Sequence, residues 1–261
     1  MQRLSTLVRQ IAPLSASVCS SEVTDDVNKE MAPTGTLRVA LNMRNELLIS
    51  GKSASGEPEG IAPSMASAFA DKLGVPVQFI PYDSPAELSN DAEHDKWDIA
   101  MIGADPSRAT FVDFTRPYCQ IEATFAVPTT SGAQKCAEVD KDGVKIAGCA
   151  GAAYVLWLEA NLKKAKLETV EGHDATYEYF KDEGCQAIAG LRPKLKKDAS
   201  KRPATRILKD KFMAVEQAAC TKKGREKGFK LLSEFIDDAK KSGMVSELLK
   251  KFKKEKDLTI P

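Results

Sequence analysis

The stretch Trp97-Asp-Ile-Ala-Met-Ile-Gly-Ala-Asp-Pro-Ser-Arg-Ala-Thr-Phe-Val-Asp-Phe-Thr-Arg-Pro-Tyr118 sets the reading of the whole chain. From Ile99 to Ile102 it is uninterruptedly apolar, as in a strand buried on both faces, and Gly103 ends the run where a side chain would crowd a ligand or a neighbouring backbone. Asp105 and Pro106 then open a short turn, the first as a cap residue and the second with φ fixed near the helical value. Arg108 therefore follows the carboxyl end of a strand. Open α/β sheets bind their ligands at that edge, and a guanidinium there offers a planar fork to a carboxylate or phosphate. The competing reading is a surface arginine paired with Asp113 or another nearby acid.

Upstream, Leu37-Arg38-Val39-Ala40-Leu41 alternates as a strand that ends at Asn42, which puts Asn42 and Asn45 at a second strand tip. Residues 51–60 read as a loop rich in glycine, serine and proline. Ile61, Met65, Ala68, Phe69 and Leu73 then share one helical face, and Gly74 stands where a helix ends. Val75, Val77 and Phe79 alternate as the next strand, and Ser84-Pro85-Ala86-Glu87 has the capping-box arrangement of a helix reaching toward Lys96. Strand, helix, strand, helix, strand with short connections is the pattern of a parallel α/β sheet, so Asn42 and Arg108 are expected to share one edge.

Downstream, residues 120–128 form another strand-like run, and the polar stretch 129–142 marks a crossing between lobes. A second α/β series follows: a strand over 144–147, the turn Gly148-Cys149-Ala150-Gly151, a helix over 152–164, a strand over 167–170, a helix over 175–181 and a strand over 185–189. Strands at 206–208 and 212–219 close it. The tail is helical, with Phe229, Leu232, Phe235, Ile236 and Ala239 on one apolar stripe and Val245, Leu248, Leu249 and Phe252 on another. The organisation expected is a leader or linker over 1–32, one lobe over 33–119 and 218–256, and a second lobe over 120–217.

Composition narrows the function classes. Lys+Arg 38 against Asp+Glu 37 leaves a net charge of +1, and the tail lysines are mixed with acids, so no nucleic-acid partner is indicated. No apolar run reaches membrane-spanning length, and no membrane insertion is expected. Six dispersed cysteines without a CxxC pair and two isolated histidines give no metal site, no cofactor motif and no histidine-based triad. The cysteines read as small buried residues, a usage closer to a reducing compartment than to a secreted one. The first residues, with Arg3, Arg9, several serines and no acid, resemble an organellar (mitochondrial) presequence; an unaddressed leader is the alternative, with cytoplasmic or periplasmic placement behind it.

Three further features bear on a site. Gly148 to Gly151 precedes a helix whose free amides favour an anion, with Gly151 and Ala152 at its start, although the loop lacks the endings of a P-loop or a dinucleotide fingerprint. Arg192 follows a strand, as a second anion contact or a solvated cation. Glu122 interrupts an apolar run and must be paired, exposed or facing a wet cleft. Trp97 and Trp157 are read as core residues.

Taken together, Gly35-Thr-Leu-Arg-Val-Ala40, Gly60 with its following helix, Lys72-Leu-Gly-Val-Pro-Val77, Trp97-Asp98, Pro106-Ser-Arg108 and Val112-Asp-Phe-Thr-Arg-Pro-Tyr118 resemble the type II periplasmic solute-binding proteins that serve amino-acid transporters. The likeness runs from about Pro33 to Phe252. It implies two α/β lobes, each a mostly parallel sheet flanked by helices, joined by two crossing strands and closing over a small ligand. It implies that Arg108 clasps a ligand carboxylate, that amides near Ala152 complete the anion site, and that Asn42 stands where polar-amino-acid binders place an acid. The chain departs from that pattern at Gly103-Ala104-Asp105, at Ala152 and Ala153 where hydroxyls are usual, and near Gly190 where an acid normally meets the α-amino group. It looks closer to a subgroup with a DP-x-R turn and an Ile-Glu-Ala-Thr crossing, in which Glu122, Asp105 and Arg192 take over ligand contacts. The expectation is a monomeric, non-enzymatic binder of a small carboxylate-bearing solute, with a membrane permease as partner. Two alternatives stay open: an enzyme on the same fold that dehydrates prephenate- or arogenate-like acids with Glu122 or Asp105 as general acid, and a partner-binding module that has lost transport.

Overall fold

A computed structural model describes residues 22–200 and 204–261. The element order is α1 (Asp25–Met31), β1 (Leu37–Asn42), β2 (Ile49–Lys52), β3 (Pro58–Gly60), α2 (Ile61–Leu73), β4 (Val77–Tyr82), α3 (Pro85–Asn90), β5 (Ile99–Gly103), β6 (Val112–Phe114) and β7 (Cys119–Pro128). It continues with β8 (Lys145–Cys149), α4 (Ala153–Asn161), β9 (Lys166–Val170), α5 (His173–Asp182), β10 (Ala187–Leu191), α6 (Arg192–Ala199), β11 (Thr205–Ile207), β12 (Met213–Lys222), α7 (Glu226–Lys241) and α8 (Met244–Lys251).

The main path through the sheet is β4-β1-β5-β12-β7-β10-β8-β9. The three strands at each end are parallel, and β12 and β7 pair antiparallel between them, which yields the expected two-lobe α/β architecture with two crossing strands. Each end is covered on both faces, and strand periodicity sorts the side chains. Val39, Leu41, Ile99 and Met101 enter the core under α2, α7 and α8, whereas Ala40, Ala100 and Ile102 turn to the core beneath α3 with Leu88 and Trp97. In the second lobe Ile146, Ala187 and Ala189 join Val155 and Leu158 of α4, and Ala147 and Ile188 meet Tyr177 and Phe180 of α5. Trp97 is fully buried and donates its indole N–H to the Leu88 carbonyl at 3.3 Å, and Trp157 stacks on Phe212.

A buried ion cluster fixes the start of β5. Asp98 is fully buried, takes two hydrogen bonds from the Arg38 guanidinium at 2.8 and 3.0 Å, and meets Arg225 at 3.3 Å. Three well-separated segments therefore share one carboxylate, and removing it would leave two guanidiniums facing each other.

Local structure departs from the sequence reading in three places. Residues 25–31, expected as part of a linker, form helix α1: the Thr24 hydroxyl caps it, Asp25 and Asp26 complement its dipole, and Val27 and Met31 bury against α7. Its apolar face is only two residues wide, too short to register as a periodicity. The loop over residues 51–60 contains the β2–β3 hairpin. The basic run after β10 is helix α6, opened by Pro193 at its second position. The presequence-like residues 1–21, including Cys19, lie outside the described residues. The other five cysteines are buried and unpaired, with burial raising the Cys119 and Cys220 thiols.

The docking of α1 has a direct check. Met31 has no exposed surface, so Met31→Ala is expected to lower the unfolding free energy by about 2–5 kcal/mol. Chemical denaturation measures this, and an unchanged midpoint would mean that residues 25–31 contribute nothing to the fold.

Candidate functional site

All parallel strands of both lobes point their carboxyl ends at one cleft, where open α/β sheets hold their ligands. The cavity there measures about 270 Å³ and takes residues from both lobes, among them Asn42, Asn45, Gly103, Arg108, Ala152 and His173. That volume falls just below the roughly 300–1,000 Å³ of pockets suited to drug-sized ligands, so an occupant is small.

Arg108 is built into this floor by its turn. The Asp105 carboxylate accepts from the Ser107 amide at 2.8 Å and from the Ser107 hydroxyl at 2.6 Å, and the Asp105 carbonyl accepts from the Ala109 amide. These bonds hold the single turn that carries the arginine. The Arg108 side chain reaches back over the end of β5 and donates to the Gly103 carbonyl at 2.5 Å and to the Gly151 carbonyl at 2.7 Å. One acceptor lies in each lobe. Only 6% of Arg108 is exposed, and no carboxylate lies within ion-pairing distance of it among the described residues. Burial lowers the guanidinium pKa to about 10, against a weaker opposing pull from Asp105, so it stays charged at neutral pH. The surface ion pair with Asp113 is thereby corrected: Asp113 meets Lys223 instead.

The glycines explain how closely the lobes approach. A methyl added at Gly103 would lie 3.0 Å from Val215 Cγ1 and 3.2 Å from the Ala153 Cβ, so the tip of β5 packs against β12 and the start of α4 only because the side chain is absent. Gly151 has φ +69°, and a methyl there would meet the Ala86 Cβ of the first lobe at 2.9 Å. Asn45 and Gln217 approach at 3.5 Å, and Lys197 pairs with Glu46 at 2.7 Å across the gap.

Of the residues singled out in the sequence, Asn42, Asn45, Gly103, Arg108 and Ala152 line the cleft. Gly151 contributes its carbonyl to Arg108. The Ala152 amide is itself bonded to the Cys149 carbonyl at 3.2 Å, so the amides left at the start of α4 are those of Ala153 and Tyr154, two residues that line the cavity, in the turn that a helix leaves without internal acceptors. Asp105, Glu122 and Arg192 are corrected. Asp105 is consumed by its own turn. Glu122 pairs with Arg192 at 2.7 Å and with Lys211 at 3.4 Å, away from the cavity. Burial acts to raise the Glu122 pKa, but hydrogen bonds from Arg192 and Lys211 outweigh it and hold the group below its usual range. The remaining Arg192 donors reach the carbonyls of Leu208, Lys209 and Asp210, which ties α6 to the approach to β12.

Sequence reasoning missed Arg44, His173, Lys194, Gln217 and Lys254, all of which line the cavity. Only Gln217, a polar residue within the apolar run of β12, carried a local signal. His173 opens α5. Burial depresses its pKa, reinforced by Lys194 and Arg44 and opposed by Asp198 and Asp174.

With this geometry in place, comparison with known proteins is informative. The model of the bacterial extracellular solute-binding proteins, family 3, matches residues 37–255. An ancestral amino-acid-binding protein, a precursor of cyclohexadienyl dehydratase, superposes with a TM-score of 0.70 at 23% identity, covering 86% of this chain and 97% of that one. A Streptococcus pneumoniae amino-acid transporter substrate-binding protein bound to L-arginine gives 0.70 at 21% identity over 86% and 97% of the two chains. A solute receptor for L-cysteine of Neisseria gonorrhoeae gives 0.69 at 21% over 84% and 90%. No curated protein matches the chain.

The half-buried His173, with its depressed pKa, predicts a pH effect on stability. A depressed pKa means that the unfolded chain takes up this proton first, so the imidazole costs nothing well above its ordinary value of 6.5 and a penalty accumulates as pH falls from there through the lowered value. Thermal melts of the wild type and His173→Gln between pH 8 and pH 5 are expected to converge at the alkaline end, apart from a constant offset. Below about pH 6.5 the wild type loses more stability; parallel curves would remove His173 from the acid response.

Proposed function

The chain belongs to the bacterial extracellular solute-binding proteins, family 3, and on that premise we propose that it binds a small carboxylate-bearing solute, an amino acid or a derivative, between lobes formed by residues 33–119 with 218–256 and by residues 120–217. Hinge closure about β7 and β12 is the working motion, and a membrane permease is the partner such a protein would serve as a monomer.

The observation that carries this reading is the desolvated guanidinium of Arg108, which holds two backbone carbonyls from opposite lobes and no acid. Carbonyl dipoles only partly repay the loss of water around a buried cation; a carboxylate does so with charge. The Ala153 and Tyr154 amides at the start of α4 add donors for the same anion. Structures of this fold that hold L-arginine or serve as L-cysteine receptors set the size of solute to try first. The dehydratase alternative loses support from Glu122, held ionised by Arg192 and Lys211, and from Asp105, engaged in its turn, since neither is poised as a general acid in the cleft.

A thermal-shift screen over amino acids and simple carboxylates, followed by calorimetry on any that stabilise the protein, tests the proposal. A bidentate contact to a buried arginine contributes about 1.5–3 kcal/mol, so Arg108→Ala is expected to raise Kd at least about tenfold, provided its melting curve shows a folded protein. Equal Kd values in the folded variant and the wild type would remove Arg108 from the site.

A further inference from the structure

The second lobe turns the N-terminal ends of three helices to the cleft. β8, β9 and β10 each hand over to a helix at this edge, and Ala153, His173 and Pro193, from the first turns of α4, α5 and α6, all line the cavity. Three helix N-termini therefore share one space. Arg44 comes across to the same place from the first lobe: a methyl added at Gly172, the N-cap of α5, would lie 3.0 Å from the Arg44 Nη1. Among the described residues the Arg44 guanidinium has no carboxylate partner. Lys194 stands on the other side of His173; its ammonium pairs with Asp198 at 3.2 Å and more loosely with Asp174 at 3.8 Å.

A guanidinium, an ammonium and the positive end of a helix repel one another unless an anion lies among them. Lys194 has Asp198 and Asp174, but no acid lining the cavity pairs with Arg44 among the described residues. Glu46 is taken by Lys197, and Glu171 and Asp257, which also line the cavity, form no ion pair with Arg44 among the described residues. Nor does the end of β10 provide for an ammonium group. At the end of β10 stand Gly190, packed on Leu195, and Leu191, so the wall there is apolar. Of the acids lining the cavity, Glu46 is engaged by Lys197 and Glu171 is exposed, where water screens a pair, which leaves an ammonium ion Asp257 on the C-terminal tail.

We propose that the solute is a small dicarboxylate, one carboxylate held by the fork of Arg108 and the second between Arg44 and the first turn of α5 beside His173. This rests on the reading of the cleft as a carboxylate site and specifies its occupant; Arg108 fixes the common end and Arg44 selects for the second charge.

Calorimetric titration of the full chain with glutarate, succinate, L-glutamate, butyrate and L-arginine separates the two claims. The dicarboxylates are expected to bind at least about tenfold more tightly than butyrate, which shares only the single carboxylate. Arg44 is exposed, so Arg44→Gln is expected to fold normally, to remove that margin and to leave butyrate within about twofold of its wild-type Kd. Butyrate or L-arginine binding as tightly as glutarate would overturn the dicarboxylate assignment and leave the carboxylate site standing. Equal weakening of butyrate and glutarate in Arg44→Gln, or weakening of neither, would overturn the selective role of Arg44. A panel in which no carboxylate binds would overturn both readings.

Discussion

The Arg108 guanidinium, nearly dry and held between the Gly103 and Gly151 carbonyls, is the interaction on which the cleft depends. Placing a cation there is expensive, and the cost is met only if several independent features hold at once. β5 must end at a residue with no side chain, the Asp105 turn must aim the arginine back over the strand, and Gly151 must take a positive φ to offer its carbonyl from the second lobe. A larger residue at either glycine would separate the walls before it disturbed either core. The lowered pKa of about 10 records the same balance: burial strains the charge without removing it at neutral pH.

The crossing strands give that bridge its leverage. β7 and β12 pair over a long register, and the chain's end adds a third element through reciprocal hydrogen bonds between Gln120 and Thr259 at 2.7 and 3.1 Å. Within the second lobe, Arg192 and Glu122 fasten α6 to β7 and to the approach to β12, while Thr124 donates to the Asp210 carbonyl at 2.7 Å. These contacts tie α6, β7 and the approach to β12 together at the base of the second lobe. They also account for the polar residues of the crossing that the cleft does not use, because a carboxylate in an apolar strand has to find a cation somewhere, and Glu122 found one on its own lobe.

Much of this was legible in the sequence, and the limits have physical causes. Alternation in β1, the unbroken apolar run of β5 and the punctuation at Gly74 and Ser84 are local signals, and they located the strand tips and with them Asn42, Gly103 and Arg108. Arg44 and His173 gave no such signal. Each is an ordinary polar residue after a strand, and their place in the cleft comes from a closeness across the gap that no local period encodes. Asp105 and Glu122 misled for the complementary reason: an acid near a site invites a ligand role, whereas the first caps a turn and the second satisfies Arg192. Helix α1 escaped notice because two apolar residues in a single pair of turns are indistinguishable from a polar linker until α7 is known to lie beside them.

The electrostatics of the cleft then follow from topology more than from net charge. A chain with a formal charge of +1 has no global preference for anions, yet parallel strands force every connecting helix of the second lobe to begin at the same edge. The fold thus supplies a positive wall whatever the surface composition, and single residues decide what that wall selects. An acid at the end of β10 would locally reverse the field and let an ammonium settle; Gly190 and Leu191 stand there instead. Adding Arg44 from the facing lobe extends the positive region beyond what the one carboxylate held by Arg108 can neutralise. Closure would then be favoured most by a ligand that carries charge at both ends, since only that ligand relieves the repulsion on both sides of the hinge as the lobes meet.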